Sequence, residues 1–198
     1  MTQFTAKKFD IPALKGISAK TIEEHLKLYE GYVKNANGIN EMLGKLSADP
    51  TANAYLIGEL NRRFSFEFNG MRNHEVYFAS LEGGAKPLAS GSTIKKAIEA
   101  VGVSFEGFLA AFKSLALTRG IGWAVLWYDT KDKRMIGSWV DEQHLGQLNG
   151  CAMILALDMW EHSYVADYQP SGKKQYVEDF FANLNWEMVE GNFKQAVR

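Results

Sequence analysis

Asp158 stands at the end of the apolar run Cys151–Leu157 (CAMILAL), with His162 four residues beyond it. A short continuous aliphatic run of this kind reads as a strand buried on both faces. A lone ionised carboxylate at its end would cost several kcal/mol, so Asp158 must pair, take up a proton or hold a metal. The chain has four histidines: His25, His74, His144 and His162. His25 falls in the helical stripe Ile22, His25, Leu26, Tyr29, Tyr32, Val33, and His74 shares a face with Met71, Phe78 and Leu81. A histidine on an apolar face is more often a hydrogen-bonded core residue than a ligand. Asp158 and His162 could equally form an i,i+4 pair on a helix surface, although a solvated pair needs no apolar run before it. Brought together, His25, His74, Asp158 and His162 would offer three imidazoles and one carboxylate, donors suited to iron, manganese or zinc, with no thiolate to select a soft metal.

Helices must position the first two of these residues. The spacing predicts one helix over residues 18–37, opened by Ser18, and a second over 61–84, closed by Gly83-Gly84. The stretch GGAKPLASGS, residues 83–92, is rich in Gly, Pro and Ser and marks the expected boundary between residues 1–84 and 85–198. Beyond it the pattern predicts two helices over 93–117, interrupted near Gly102. A hairpin follows, from IGWAVLWYD to KRMIGSWV around TKDK, then the strand CAMILAL and one helix over 176–193. The expected class is α+β, helices first and then a small sheet with helices.

Composition narrows the function. The chain is 198 residues long, 46% hydrophobic and 23% charged, enough to bury a sizeable core. A net charge of −1, with dispersed Lys and Arg, argues against nucleic acid. The start MTQFTAKKFD has no apolar signal region and no 18 apolar residues run together, so the expected setting is the cytoplasm, with no membrane partner. The single cysteine, Cys151, permits no intramolecular disulfide and reads as a packing residue.

The stretch Asp158–Tyr164 (DMWEHSY) matches the pattern D-x-W-E-H-x-Y of iron and manganese superoxide dismutases, and the chain resembles that family from end to end. The matching residues include ISAKTIEEH with Tyr32-Val33 and Asn35–Asn37, then Asn73-His74, Gly120–Trp123 and Asn185-Trp186-Glu187. The resemblance implies a two-domain fold, an N-terminal antiparallel two-helix hairpin and a C-terminal domain around a three-stranded antiparallel sheet. It implies that His25, His74, Asp158 and His162 hold one iron or manganese ion per subunit, walled by Trp123 and Trp160. The implied reaction turns one superoxide into dioxygen and a second into hydrogen peroxide. A zinc hydrolase and a non-catalytic metal-binding module are the other readings of such a site.

Several positions depart from the family pattern. The histidine usual four residues after the first ligand is Tyr29 here, and the tyrosine usual at plus eight comes at plus seven, as Tyr32. The resemblance therefore implies Tyr32 as the gateway residue, with Tyr29 its rival, on a helix that can run without a bulge. Val165 replaces a tyrosine that bonds across subunits, and Lys173 stands nearest a usual funnel arginine. Gly70, four before His74, has no side chain to hold the metal-bound solvent, so the implied donor comes from the loop DEQHLGQLNG, as His144 in the first place or as Gln143. The implied assembly is a homodimer in which Glu161 bonds the partner subunit's His162.

Overall fold

The computed structural model describes residues 3–100 and 102–198. Two long helices come first, α1 (Ala19–Leu46) and α2 (Ala54–Ala79). Ser18 caps α1, its hydroxyl accepting from Thr21 N, and the buried face is Ile22, His25, Tyr29, Val33, Ala36 and Ile39. α1 runs nine residues past the expected end at Asn37, and α2 starts seven before the expected Asn61 and stops at Ala79. The added turns lie at the hairpin tip, where Ile39, Met42, Leu43 and Leu46 keep the apolar spacing but only Ile39 is buried; short-range pairs such as Lys45–Glu41 and Arg62–Glu59 decorate the helices there. α1 is α-helical throughout, without a bulge.

Two shorter helices follow, α3 (Thr93–Glu99) and α4 (Phe105–Ala116), and then the strands β1 (Gly122–Asp129), β2 (Arg134–Asp141) and β3 (Cys151–Asp158). The sheet is antiparallel in the order β2-β1-β3, with Trp123 opposite Asp158 and a bulge in the β1–β3 pairing at Leu126/Trp127. β1 is central and buried from Gly122 to Tyr128, and β3 is buried from Ile154 to Asp158, the end that reaches the histidines. The apolar-run argument for β3 therefore holds for its second half. After β3 come the short turn Glu161–Ser163 and the single helical turn α5 (Val165–Tyr168).

The tail is two helices rather than the one expected: α6 (Lys173–Asn183) and α7 (Trp186–Ala196). Asn185 makes the break. Its side chain accepts from Glu187 N to cap α7 and donates to Glu82 O at 2.7 Å, while its backbone N donates to Ser80 O at 2.8 Å. The break thus fastens the tail to the chain leaving α2. Among the described residues no helix is long and apolar enough to cross a membrane.

Candidate metal centre

α1 supplies His25, α2 His74, the end of β3 Asp158, and the short turn after it His162; one donor atom from each lies within 4.8 Å of all the others. Asp158 Oδ2 is 3.0 Å from His25 Nε2, 3.1 Å from His162 Nε2 and 3.6 Å from His74 Nε2. Two atoms each about 2.1 Å from a shared cation lie roughly 3.0 Å apart at a right angle and roughly 3.6 Å at 120°. The Asp158 side chain and those of His25 and His74 are fully buried, while that of His162 is 23% exposed.

The tautomer of His74 decides what this cluster can hold. Its Nδ1 lies 2.6 Å from Gly70 O, and a carbonyl can only accept, so Nδ1 carries the proton and Nε2 presents a bare lone pair. That Nε2 is buried and has no hydrogen-bond partner among the described residues, yet it faces the Asp158 carboxylate. Two acceptors in a dry site repel unless a cation lies between them, so the donor set fits a bound metal ion.

The titration behaviour agrees. Burial would raise the Asp158 carboxyl, but charge and hydrogen bonds from His162 and His25 outweigh it and hold it well below the usual carboxylate range. Burial, then the neighbouring His25, depress His74 to about 3, and burial depresses His25 as well. An ionised Asp158 beside the neutral imidazoles of His25 and His74 matches the protonation states a metal requires. Asp158 Oδ1 is fixed by Trp160 N at 2.8 Å. The Nδ1 of His25 is buried without a partner among the described residues, so a carbonyl acceptor stands behind His74 and none behind His25.

Aromatic rings wall the cluster. Trp123 lies edge-on to His74 at 4.9 Å, Trp160 stacks on His162 at 5.7 Å, and Tyr32 packs on His74 at 5.1 Å. Of the two tyrosines considered from the sequence, Tyr32 is the one at the histidines. Tyr29 is tied elsewhere: its hydroxyl accepts from Lys7 N at 2.8 Å and reaches Glu75 Oε1 at 3.4 Å.

The loop after β2 places Gln143, not His144, toward the centre. Glu142 has φ of 50°, a left-handed turn that ends the strand and sends the next side chain inward. Gln143 is fully buried; its Nε2 donates to Tyr32 Oη at 3.0 Å and its Oε1 accepts from Trp123 Nε1 at 2.9 Å. Asn73, beside His74, pins the loop by donating to Gln143 O at 3.0 Å. His144 packs against Phe66 at 5.6 Å, and its buried Nδ1 has no partner among the described residues. Lys173 is also drawn away, donating to Thr118 O at 2.8 Å. Glu161 is exposed.

Phe66 went unnoticed in the sequence. It lies eight residues before His74 with Gly70 midway, an i, i+4, i+8 row on one face of α2 that periodicity could have found.

Comparison with known proteins completes the description. Residues 90–192 match the family model for the C-terminal domain of iron/manganese superoxide dismutases. The chain is 37% identical over 188 residues to an iron superoxide dismutase of Cupriavidus metallidurans, covering 93% of this chain and 92% of that one. It is 31% identical over 192 residues to an iron superoxide dismutase of Aquifex pyrophilus, covering 93% and 88%. A mitochondrial manganese superoxide dismutase of Glossina morsitans morsitans is 30% identical over 194 residues, covering 95% and 87%.

Proposed function

Because the chain belongs to the iron/manganese superoxide dismutase family, we propose that it is a superoxide dismutase whose single iron or manganese ion is held by His25, His74, Asp158 and His162. The observation that carries the assignment is the bare, partnerless Nε2 of His74 facing the Asp158 carboxylate in a buried site. The ion supplies one-electron redox chemistry when bound; the protein's part is to hold it, shape its surroundings and move protons.

Asp158 offsets cationic charge at the centre, and the rings of Trp123, Trp160 and Tyr32 keep bulk water from it. Tyr32 is the gateway group. Its hydroxyl accepts from Gln143, so its own proton is free to point toward substrate or solvent. Burial, with Asp158 second, raises the Tyr32 pKa above the usual phenol range, so the hydroxyl holds its proton at neutral pH. Gln143 orients that hydroxyl while anchored to Trp123, and its remaining amide N–H can donate to solvent at the site.

The reading extends to organisation. The helical hairpin through Gly84 forms one domain and the remainder another, each contributing two ligands. A cytoplasmic homodimer joins Glu161 to the partner subunit's His162; within the chain, no hydrogen bond from His162 Nδ1 is made among the described residues.

The test is to load metal-free protein with iron, manganese or zinc separately, then measure bound metal and superoxide consumption. Iron or manganese should bind one per chain and support turnover. His74→Ala and Asp158→Ala should lose both metal and turnover. Near-stoichiometric metal in either variant would refute the ligand set, and activity with zinc alone would refute the redox reading.

A further inference from the structure

An anionic substrate approaching a centre lined by a carboxylate and aromatic rings needs a cation along its route. Lys173, near the position where the family carries an arginine, does not serve. Its Nζ donates to Thr118 O, lies 5.6 Å from the centre of the Trp139 ring, and has its pKa lowered by burial.

Arg63, three helical turns before His74 on α2, is held differently. Its guanidinium carbon sits 3.8 Å above the centre of the Phe66 ring, and its Nε donates to Glu67 Oε1 at 2.8 Å. Glu67 is itself buried, with its second oxygen taken by Asn35 Nδ2 at 3.2 Å. The guanidinium is therefore fixed on one face by a ring and along one edge by a carboxylate. Its two terminal nitrogens make no hydrogen bond within the described residues, and the side chain is 51% exposed. The Phe66 ring beneath it lies 6.0 Å from that of Tyr32, which lies 5.1 Å from His74. Three rings in sequence thus lead from the guanidinium to a ligand. Glu67 forms the buried negative end of the pair and Arg63 the outward positive end.

We propose that Arg63 is the electrostatic guide for the anionic substrate, stationed on Phe66 at the approach to Tyr32 and replacing the C-terminal cation that Lys173 no longer supplies. The inference rests on the superoxide dismutase reading above. A pinned guanidinium acts at a distance through its charge, so it should raise substrate encounter without touching the chemical step. The buried Glu67 partly cancels that field, which gives the proposal an unusual sign: removing the glutamate's charge should speed encounter.

The experiment measures kcat/KM for superoxide from about 10 mM to about 0.3 M ionic strength on metal-loaded wild type, Arg63→Gln, Glu67→Gln, Arg63→Gln/Glu67→Gln and Lys173→Gln. Binding of azide, a small monovalent anion, is read in parallel from the metal's optical spectrum. Arg63→Gln should lower kcat/KM about two- to fivefold at low salt, with kcat at saturation kept and the loss fading as salt rises. Glu67→Gln should raise kcat/KM at low salt, and Lys173→Gln should track the wild type. The double variant removes the risk that an unpaired Glu67 disturbs the fold, and it should show the flattened salt dependence of Arg63→Gln. The proposal is overturned if Arg63→Gln equals wild type at low salt, if its loss is the same at all ionic strengths, or if Lys173→Gln carries the loss. Should the wild type consume no superoxide, the functional reading fails, and azide still decides this one: weaker, less salt-sensitive binding in Arg63→Gln supports a guide, and unchanged binding removes it.

Discussion

Replacing Gly70 by alanine should destabilise the protein, although the same change at Gly31 should stabilise it. Both glycines lie inside long helices, where alanine is favoured by about 0.5–1 kcal/mol. Around Gly31 a new Cβ meets nothing within 4 Å; at Gly70 it would lie 2.5 Å from Tyr32 Cδ1, 2.7 Å from Cε1 and 2.9 Å from Cγ. Carbon atoms pack at about 3.5–4.0 Å, so the ring must retreat by roughly an ångström. It has little room, lying between the rings of His74 and Phe66 with its hydroxyl bonded to Gln143. Overpacking costs about 1–3 kcal/mol and a stretched hydrogen bond about 1 kcal/mol, against the helical gain. The net is a loss of about 1–3 kcal/mol. For a chain of this length each kcal/mol shifts Tm by about 2–4 °C. Gly70→Ala should therefore melt about 2–12 °C below wild type and Gly31→Ala about 1–4 °C above it, followed by circular dichroism on metal-loaded protein. The cost at Gly70 should shrink when Tyr32→Ala opens the space, a coupling that a double-mutant cycle reads directly. Shifts of the same sign at both glycines, or no coupling to Tyr32, would refute the reasoning.

Further outcomes follow from other contacts. Gln143→Ala strands the buried Trp123 Nε1 and frees Tyr32, so it should cost about 1–3 kcal/mol and at least tenfold in turnover while metal analysis still finds the ion; His144→Ala should do far less, and equal effects would mean the loop is misassigned. Glu190 accepts from Ser92 Oγ, Thr93 N, Thr93 Oγ1 and Ile94 N; against burial, these bonds lower its pKa from 4.5 to about 2. A depressed carboxyl stabilises above its unfolded pKa and loses that stability as pH falls through the folded one. Glu190→Gln should therefore remove on the order of 2 kcal/mol above about pH 5 and flatten urea stability between about pH 4.5 and 2; an unchanged slope there would sink the assignment. Glu161→Ala should shift sedimentation from dimer toward monomer and lower activity together, and a fully active wild-type monomer would remove the interface.

His25 and His74 are legible because each sits in an apolar stripe, His25 between Ile22 and Tyr29 and His74 between Met71 and Phe78. Burial writes a period into sequence, and the helices were found wherever it did. The hairpin tip was not, because residues 38–46 and 54–60 are helical without a continuous buried face. The aromatic spacing continues on both sides of Asn185 and so predicts one helix; the break is signalled only by an asparagine followed two residues later by a glutamate, a cap with an acidic first turn. Arg63 and Glu67 carried no signal at all, since a cation becomes a guide only through what the fold sets beneath it.

The resemblance puts His144 ahead of Gln143 because His144 to Gln147 matches the H-x-x-Q setting of a loop histidine, whereas the spacing to Asp158 favours Gln143, and the backbone of the loop follows the spacing. Glu142 takes a left-handed conformation, which resets the alternation that a strand would have continued, so Gln143 and not its neighbour turns inward. The need for a loop donor follows from α1. Seven residues at roughly 100° each return to within about 20° of the starting direction, so in a regular helix Tyr32 lies on the face of His25. Its ring then enters the space between α1 and α2 that a side chain at position 70 would fill, and only glycine leaves that space open. With position 70 bare, the group that holds the tyrosine hydroxyl has to arrive from across the site, and a buried amide bonded to Trp123 is rigid enough to hold it. The shortened interval in α1, the glycine in α2 and the glutamine after β2 are thus one physical arrangement, and a change at any of the three should be felt at the other two.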